Sequence, residues 1–319
     1  MHNSKDTRII FLGTPDFAIP SLEALLKANY SLVAVVTRPD EPVGRDQVIT
    51  PPPAKVFAQS AGILVFQPEK LSLDYWIENI PEADCMIVAA YGKLIPGTII
   101  GKFPLGALNV HPSLLPRLRG PSPIQSAILN GEKETGISII LLDDLMDHGP
   151  ILGQTIFPLF PKIGYRELHD FLAKESAGIL INTFSQWIDK TIQPIPQNDD
   201  RATYSKILKK DDGRVNWSRP AEEIERMVRA LEVWPGSWSI WATDKKIYRI
   251  RIEEADTQSE ESPYGSPGHV WKKDESGFPL IKTGKGSLVL RKVTIEGKKA
   301  LSAQDLLRGY PQFIGTTLV

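Results

Sequence analysis

The stretch Arg8-Ile-Ile-Phe-Leu-Gly13 is a short apolar run that ends in glycine, which is typical of a buried strand. Residues 16–29 follow with apolar positions at helical spacing and a proline near the start, which favours a helix. The alternation continues with a strand, a helix and a strand predicted at 32–37, 53–61 and 63–66. This βαβαβ order predicts a parallel sheet with helices on both of its faces.

Further short apolar runs extend this sheet. Strands are predicted at 83–90, 107–110, 136–142 and 151–158, and helices at 123–130 and 165–190. We therefore expect residues 1–190 to form an α/β domain of the Rossmann-like, parallel-sheet type.

The pattern changes after this domain. Residues 191–205 contain prolines and few apolar anchors, so we interpret them as a linker. Beyond them, a helix at 220–231 precedes five short strands separated by Gly, Pro and Ser, at 237–241, 247–252, 268–271, 278–281 and 287–294. Short strands with such turns predict a small β-barrel, like the oligonucleotide-binding barrel, over residues 206–319.

Composition limits the class of protein. The chain has 319 residues, of which 42% are hydrophobic and 24% charged, which excludes collagen-like and disordered chains. The net charge of −1 excludes a uniformly basic, DNA-packaging surface. The charge is unevenly distributed, however, because residues from Lys206 onward hold 20 basic and 16 acidic side chains. The second part of the chain is therefore the better candidate to contact a polyanion.

The single cysteine, Cys85, cannot form an internal disulfide, and no Cys/His cluster has the spacing of a zinc site. No run approaches the roughly 20 apolar residues that a membrane-spanning helix needs. We therefore expect a soluble, cytoplasmic protein that binds neither a metal nor a membrane.

The strand predicted at 107–110 leads into the most informative segment of the chain. Asn109 and His111 are two residues apart, so their side chains project from the same face, at the sheet edge where α/β proteins bind ligands. Histidine can transfer a proton near neutral pH, and an asparagine amide can donate to a developing oxyanion. The first strand lacks the three glycines of a dinucleotide fingerprint, which disfavours NAD binding.

A carboxylate that supports His111 should follow a neighbouring strand. Three acids do so, Asp143, Asp144 and Asp147, and the residues alone do not choose between them. His148, beside them, is expected to be an exposed neighbour rather than a second base.

Several motifs resemble the folate-dependent formyltransferase family, and the similarity extends along essentially the whole chain. The core motifs are Asn109-Val-His111, Ser113-Leu-Leu-Pro116, Arg119-Gly120, Pro123-Ile-Gln125 and Asp147-x-Gly149. The segments 11–17, 38–45 and 300–307 narrow the resemblance to the branch that acts on an aminoacylated initiator tRNA.

The resemblance implies an N-terminal formyltransferase domain, a C-terminal tRNA-binding barrel and a monomer. It assigns Asn109, His111 and Asp147 as catalytic residues, with Asp147 orienting the histidine ring. The implied reaction transfers the formyl group of 10-formyltetrahydrofolate to the free amine of methionyl-initiator tRNA.

Binding residues also follow from the resemblance. The folate is expected to lie along Ser113, Leu114, Leu115 and Pro116 and near Tyr91 and Gly92, largely against backbone groups. The long loop 38–53 would contact the acceptor stem through Arg45, and the barrel would contact RNA through Lys282, Lys285, Arg291, Lys292, Lys298 and Lys299. The chain departs from the family pattern at residues 46–48, where lysines are usual, and at Pro112, where glycine is usual.

Two other functions remain open at this point. A formyltransferase for a small amine, such as an amino sugar or glycinamide ribonucleotide, would share the first domain. A catalytically inactive RNA-binding protein would keep the fold, but it would have no need of Asn109, His111 and Asp147 together.

Overall fold

The N-terminal apolar run forms the predicted strand β1 (Arg8–Gly13), in a computed structural model that describes residues 6–44, 46–243 and 246–319. The chain divides into two units. The first runs to Pro123 and also holds Glu134–Pro158 and His169–Lys206; the second holds Ile124–Lys133, Leu159–Leu168 and Ile207–Val319. The domain limits at 190 and 206 drawn from the sequence stay a prediction.

Seven strands form the sheet of the first unit. After β1 these are β2 (Ser31–Val36), β5 (Leu64–Phe66), β6 (Cys85–Ala89), β7 (Ala107–His111), β8 (Glu134–Leu141) and β9 (Ile151–Pro158). Their order is β5-β2-β1-β6-β7-β8-β9. The first five run parallel, which confirms the predicted parallel α/β sheet, whereas β8 pairs antiparallel with both β7 and β9. In β9 exposed residues alternate with covered ones, as expected of an edge strand with one face in water.

The helices include those predicted and several that the sequence reading did not identify. They are α1 (Ile19–Lys27), α2 (Pro53–Ser60), α3 (Leu73–Asn79), α4 (Gly97–Ile100), α5 (Pro123–Asn130) and α6 (Tyr165–Ile188). Helices α3 and α4 were missed because they have only seven and four residues, too few for a clear period. None of the helices in the described ranges has the length and apolar character of a membrane span.

Loop 38–53 contains a short hairpin, β3 (Glu41–Val43) and β4 (Val48–Thr50), all of whose strand residues are exposed. The strands themselves supply much of the core of this unit. Four successive residues of β1 are fully buried: Ile9, Ile10, Phe11 and Leu12. Cys85 of β6 is also fully buried, and burial raises the pKa of its thiol. It is therefore a packing residue, not a nucleophile.

The second unit contains an antiparallel sheet and two helices beyond residue 206. Its strands are β10 (Ser237–Ala242), β11 (Ile247–Gln258), β12 (Val270–Lys273), β13 (Pro279–Lys282), β14 (Ser287–Ile295) and β15 (Leu301–Ser302), and its helices are α7 (Ala221–Ala230) and α8 (Ala303–Gly309). The order is β10-β11-β14-β13-β12, with β15 on β14.

Residues 315–319 connect the two edges of this sheet. Ile240 of β10 exchanges backbone hydrogen bonds of 2.8 and 3.0 Å with Val319. On the other edge, Val270 donates to Thr316 at 2.8 Å and Gly315 donates to Val270 at 2.7 Å. The final residues thus complete the ring of backbone pairing, and the sheet becomes the predicted barrel.

Trp241 occupies the centre of the barrel core with no exposed surface. Its ring stacks on Tyr248 at 5.0 Å between centroids and meets Tyr310 and Phe313 edge-on at 5.3 and 5.1 Å. Such geometries are favourable for aromatic quadrupoles.

We expect Trp241→Ala to destabilise the protein by about 3–5 kcal/mol, because it leaves a large cavity among three aromatic rings. Urea denaturation followed by circular dichroism measures this loss. Tyr264→Ala is the control, since that side chain is 69% exposed. Equal midpoints for the two variants would contradict the central packing role of Trp241.

Candidate active site

Asn109 and His111 lie on one face of β7, and Asp147 lies beside both. Its Oδ1 is 3.3 Å from Asn109 Nδ2, and its Oδ2 is 3.6 Å from His111 Nδ1. The His111 and Asp147 side chains are only 5% and 13% exposed. The structure therefore brings the three predicted catalytic side chains together; their roles stay a prediction.

Asp147 reaches this position because its loop folds back along β7. Leu141, the last residue of β8, pairs with Leu108 near the start of β7, yet Asp147 contacts residues nearer the other end of that strand. The return needs Gly149, since a Cβ there would overlap the carbonyl oxygen of Leu141. The antiparallel direction of β8 thus decides the path of the loop, and the sequence pattern did not reveal that direction.

The carboxylate of Asp147 is held on a second side by the backbone. The N–H of Gly120 donates to Oδ2 at 2.8 Å. Asp147 itself has φ +50°, a left-handed conformation that costs roughly 1–2 kcal/mol in a residue with a Cβ. Contacts outside the residue must therefore keep this conformation in place.

The ring of His111 is oriented by a backbone carbonyl. Its Nε2 is 3.0 Å from the oxygen of Leu118, and because a carbonyl only accepts, Nε2 carries the hydrogen. Nδ1 consequently faces Asp147. Leu118 also has a positive φ, +58°, and its N–H donates to Thr203 Oγ1 at 2.9 Å. The ring is thus held at Nε2 by a backbone carbonyl, in addition to its predicted partner Asp147 at Nδ1.

The other two acids of the loop have different partners. Asp143 Oδ2 is 2.6 Å from His148 Nδ1, and this hydrogen bond is the main reason that the pKa of His148 lies above its usual value. Asp144 lies against Gly97 at the start of α4. Of the three acids that the sequence left open, Asp147 is the one beside His111.

The predicted folate segment follows β7 directly and is firmly anchored. Ser113 and Leu115 are buried; Ser113 Oγ donates to Arg117 O at 2.8 Å, and Leu115 N donates to Ser138 Oγ at 3.2 Å. Leu114 and Pro116 are half-buried. The side chains of Ser113 and Leu115 therefore hold the loop. Its four carbonyls, at residues 113–116, also accept hydrogen bonds from within the chain, and folate binding here stays a prediction.

Tyr91 and Gly92 follow β6, the strand next to β7. The Tyr91 ring is 2% exposed, and within the described chain its hydroxyl has no hydrogen-bond partner. Burial raises the pKa of Tyr91 to about 12. Its side chain is thus part of the core, whereas Gly92 is exposed.

The predicted tRNA contacts are not brought into one group. Arg45 lies outside the described residues. Lys282 and Lys285 lie near the start of β14, and Lys298 and Lys299 follow its end. Nine strand residues separate the two pairs by roughly 30 Å.

Arg291 and Lys292, in β14 itself, both have acidic partners. Arg291 Nε donates to Asp256 at 2.8 Å and Nη1 to Asp274 at 3.3 Å, while its guanidinium covers the Phe278 ring at 4.4 Å. The bond from Arg291 is the main cause that lowers the pKa of Asp256. Lys292 Nζ donates to Glu254 at 3.1 Å on an exposed surface. Arg291 is therefore already neutralised within the barrel.

Sequence reasoning missed Gln197 and Thr203, which contact the site's loops, and it named Arg119 only within a family motif, without a role. Arg119 is 2% exposed, and Gln197 and Thr203 come from the segment interpreted as a linker. Gln197 donates to the carbonyl oxygens of Asp147 and Gly149 at 2.9 and 2.7 Å. For Gln197 and Thr203 the signal in the sequence is a cluster of hydrogen-bonding side chains where apolar anchors are lacking. Among the described residues, no group of three or more His, Cys, Asp or Glu could hold a metal.

Comparison with known proteins is consistent along the chain. The family profile described as Formyl transferase matches residues 7–184, and that described as Formyl transferase, C-terminal domain, matches residues 207–311. The first match contains Asn109, His111 and Asp147.

Curated relatives named methionyl-tRNA formyltransferase are similar over nearly the full length. The protein from Chloroflexus aurantiacus is 42% identical over 305 residues, which cover 95% of this chain and 96% of the relative. The protein from Bacillus pumilus is 38% identical over 315 residues, which cover 98% and 97%.

Solved structures share the fold at low identity. The N-formyltransferase from Helicobacter canadensis, in complex with folinic acid and dTDP-3-aminofucose, aligns with a TM-score of 0.65 at 20% identity, over 89% of this chain and 98% of that one. HypX from Aquifex aeolicus, in complex with tetrahydrofolic acid, aligns with a TM-score of 0.63 at 17% identity, over 97% of this chain and 48% of that one. With both profiles matched and full-length relatives at about 40% identity, the chain belongs to the formyl transferase family, in the group of the methionyl-tRNA formyltransferases, as its motifs predicted.

Proposed function

We propose that this enzyme transfers the formyl group of 10-formyltetrahydrofolate to the α-amino group of methionyl-initiator tRNA at Asn109, His111 and Asp147. The observation that carries the proposal is the contact of one buried carboxylate with an amide at 3.3 Å and an imidazole at 3.6 Å. The full-length similarity to methionyl-tRNA formyltransferases supports the choice of substrates.

In this mechanism Asn109 stabilises the oxyanion. The amine nitrogen attacks the formyl carbon, and the carbonyl oxygen gains negative charge as the new C–N bond forms. The Asn109 amide, already held by Asp147 Oδ1, offers an N–H without a change in its own charge. A preorganised donor of this kind needs little rearrangement as the charge develops.

His111 accepts the proton of the attacking amine and later releases it. Because Nε2–H is committed to Leu118 O, Nδ1 is the nitrogen that accepts the proton lost by the attacking amine. The nearby Asp147 carboxylate stabilises the imidazolium that results. The proton then passes to the donor's nitrogen as its bond to the formyl carbon breaks, so that the overall transfer is balanced.

The formyl donor would bind beside β7. Gly92, Leu114 and Pro116 retain accessible surface there, whereas Tyr91, Ser113 and Leu115 support the loops from within. Recognition in this arrangement depends mainly on backbone shape.

For the RNA substrate we propose contacts by Arg45 and by Lys282, Lys285, Lys292, Lys298 and Lys299 of the barrel. Lysine side chains attract phosphate through charge without base specificity, and these lysines are exposed except for the half-buried Lys282. Arg291 supports the barrel, since Asp256 and Asp274 already hold its guanidinium.

We also propose that the enzyme acts as a monomer in the cytoplasm. All three candidate catalytic residues come from one unit of one chain, so the site needs no second copy. The single cysteine is buried and needs no oxidising compartment. Sedimentation at micromolar concentration tests the oligomeric state.

The principal test is incubation with 10-formyltetrahydrofolate and methionyl-initiator tRNA, followed by detection of formylmethionine. Uncharged tRNA is the negative control. A dTDP-amino sugar is the competing acceptor, because sugar N-formyltransferases share this fold. Transfer to the sugar alone would reject the proposed acceptor, and tRNA binding without product would leave only an RNA-binding role.

We expect Asn109→Ala to lower kcat by about 10²–10³-fold, because it removes an oxyanion donor. Steady-state formylation assays measure this change. Asn79→Ala is the matched control, since Asn79 is exposed and its amide bonds only to the Tyr75 carbonyl of α3. Near-normal turnover by Asn109→Ala would contradict the proposed chemistry.

We expect Lys285→Glu and Lys299→Glu each to raise KM for the tRNA and to lessen its salt dependence by about one unit of slope. The KM for the formyl donor should not change. Arg291→Gln is the contrast: it should lower the thermal midpoint and leave the salt slope unchanged. If only Arg291→Gln changed the salt dependence of KM for the tRNA, the RNA contact would instead be assigned to Arg291.

A further inference from the structure

The side-chain amide of Gln197 has all of its hydrogen-bonding capacity in use. Its Nε2 donates to Asp147 O at 2.9 Å and to Gly149 O at 2.7 Å. Its Oε1 accepts from Arg119 Nε at 3.1 Å and from Arg119 Nη2 at 2.9 Å. An amide has two donors and two acceptor positions, so a better-satisfied arrangement is not available to it.

Arg119 fixes which way this amide points. A guanidinium has donors only, and therefore the oxygen of Gln197 must face it and the nitrogen must face the two carbonyls. Arg119 is itself 2% exposed and is held by Asp199 Oδ1 at 2.8 Å and by the Tyr204 hydroxyl at 3.4 Å. The orientation of the Gln197 amide is thus set by a buried arginine that has hydrogen-bond partners of its own.

The apolar side chains of the Asp147 loop add little to its anchoring, which therefore depends on hydrogen bonds. Leu145 and Met146 are 60% and 57% exposed, so the residues just before Asp147 contribute little apolar packing. Asp147 has φ +50°, and a relaxed backbone would turn its carboxylate away from His111. The two bonds from Gln197 hold the carbonyl of this left-handed residue and the carbonyl of Gly149, two residues further along.

We propose that Gln197, oriented by Arg119, is a positioning residue that keeps the Asp147 carboxylate against Asn109 and His111. The inference rests on the proposed chemistry of these three residues. Gln197 lies between the two regions that match the family profiles. It would support catalysis through Asp147, without contacting a substrate itself.

The test measures formylation by Gln197→Glu, Asp147→Asn and the double variant. The glutamate keeps both acceptor contacts to Arg119 but loses the two donors, and its charge repels the carbonyls of Asp147 and Gly149. We expect kcat to fall by about 10–100-fold with both KM values within two-fold, as for a misplaced catalytic group. The double variant should be no slower than Asp147→Asn, because Gln197 acts only through Asp147.

Gln197→Met, which removes the amide at similar volume, should give the same pattern and guards against a local effect of the new charge. Gln193→Glu and Gln193→Met are the matched controls, since Gln193 lies exposed in the same segment, and both should retain wild-type kcat. Wild-type kcat in both Gln197 variants, or losses that multiply in the double variant, would overturn the inference. Full activity of Asp147→Asn would instead overturn the proposed chemistry, and with it the inference.

Discussion

The carboxylate of Asp147 is the interaction on which the site depends. Its oxygens accept hydrogen bonds from a backbone N–H at 2.8 Å and an amide at 3.3 Å and lie 3.6 Å from an imidazole. These groups come from two other segments of the chain, β7 and the loop at Gly120. A nearly buried carboxylate is stable only when donors surround it. The need of this carboxylate for hydrogen-bond donors therefore also brings the candidate catalytic side chains together.

Backbone groups also help to position the side chains of the site. His111 is oriented by the carbonyl of Leu118, and Leu118 is held in turn by Thr203. Segment 197–205 thus approaches the site from two directions, through Gln197 and through Thr203. Both act on residues in left-handed conformations, Asp147 and Leu118, which cost free energy and persist only where neighbours fix them.

The sequence predicted the local features well and the long-range ones less well. Strand β1 and the shared face of Asn109 and His111 follow from apolar periodicity, which each segment carries within itself. The antiparallel direction of β8 does not, because a buried strand has the same pattern in either direction. Because the direction of β8 was unknown, the path of the Asp147 loop could not be predicted. Gln197 was missed for a related reason: a polar segment resembles a linker until its partners, distant in sequence, are known.

The barrel of the second unit closes through residues 315–319, which pair with β10 on one side and β12 on the other. These residues supply backbone partners to two short strands at the same time, so their displacement would leave unpaired N–H and C=O groups on both β10 and β12. A strand edge with unpaired backbone groups can form hydrogen bonds with a strand of another molecule. Loss of the pairing by residues 315–319 would therefore open the barrel and make it prone to association with other molecules.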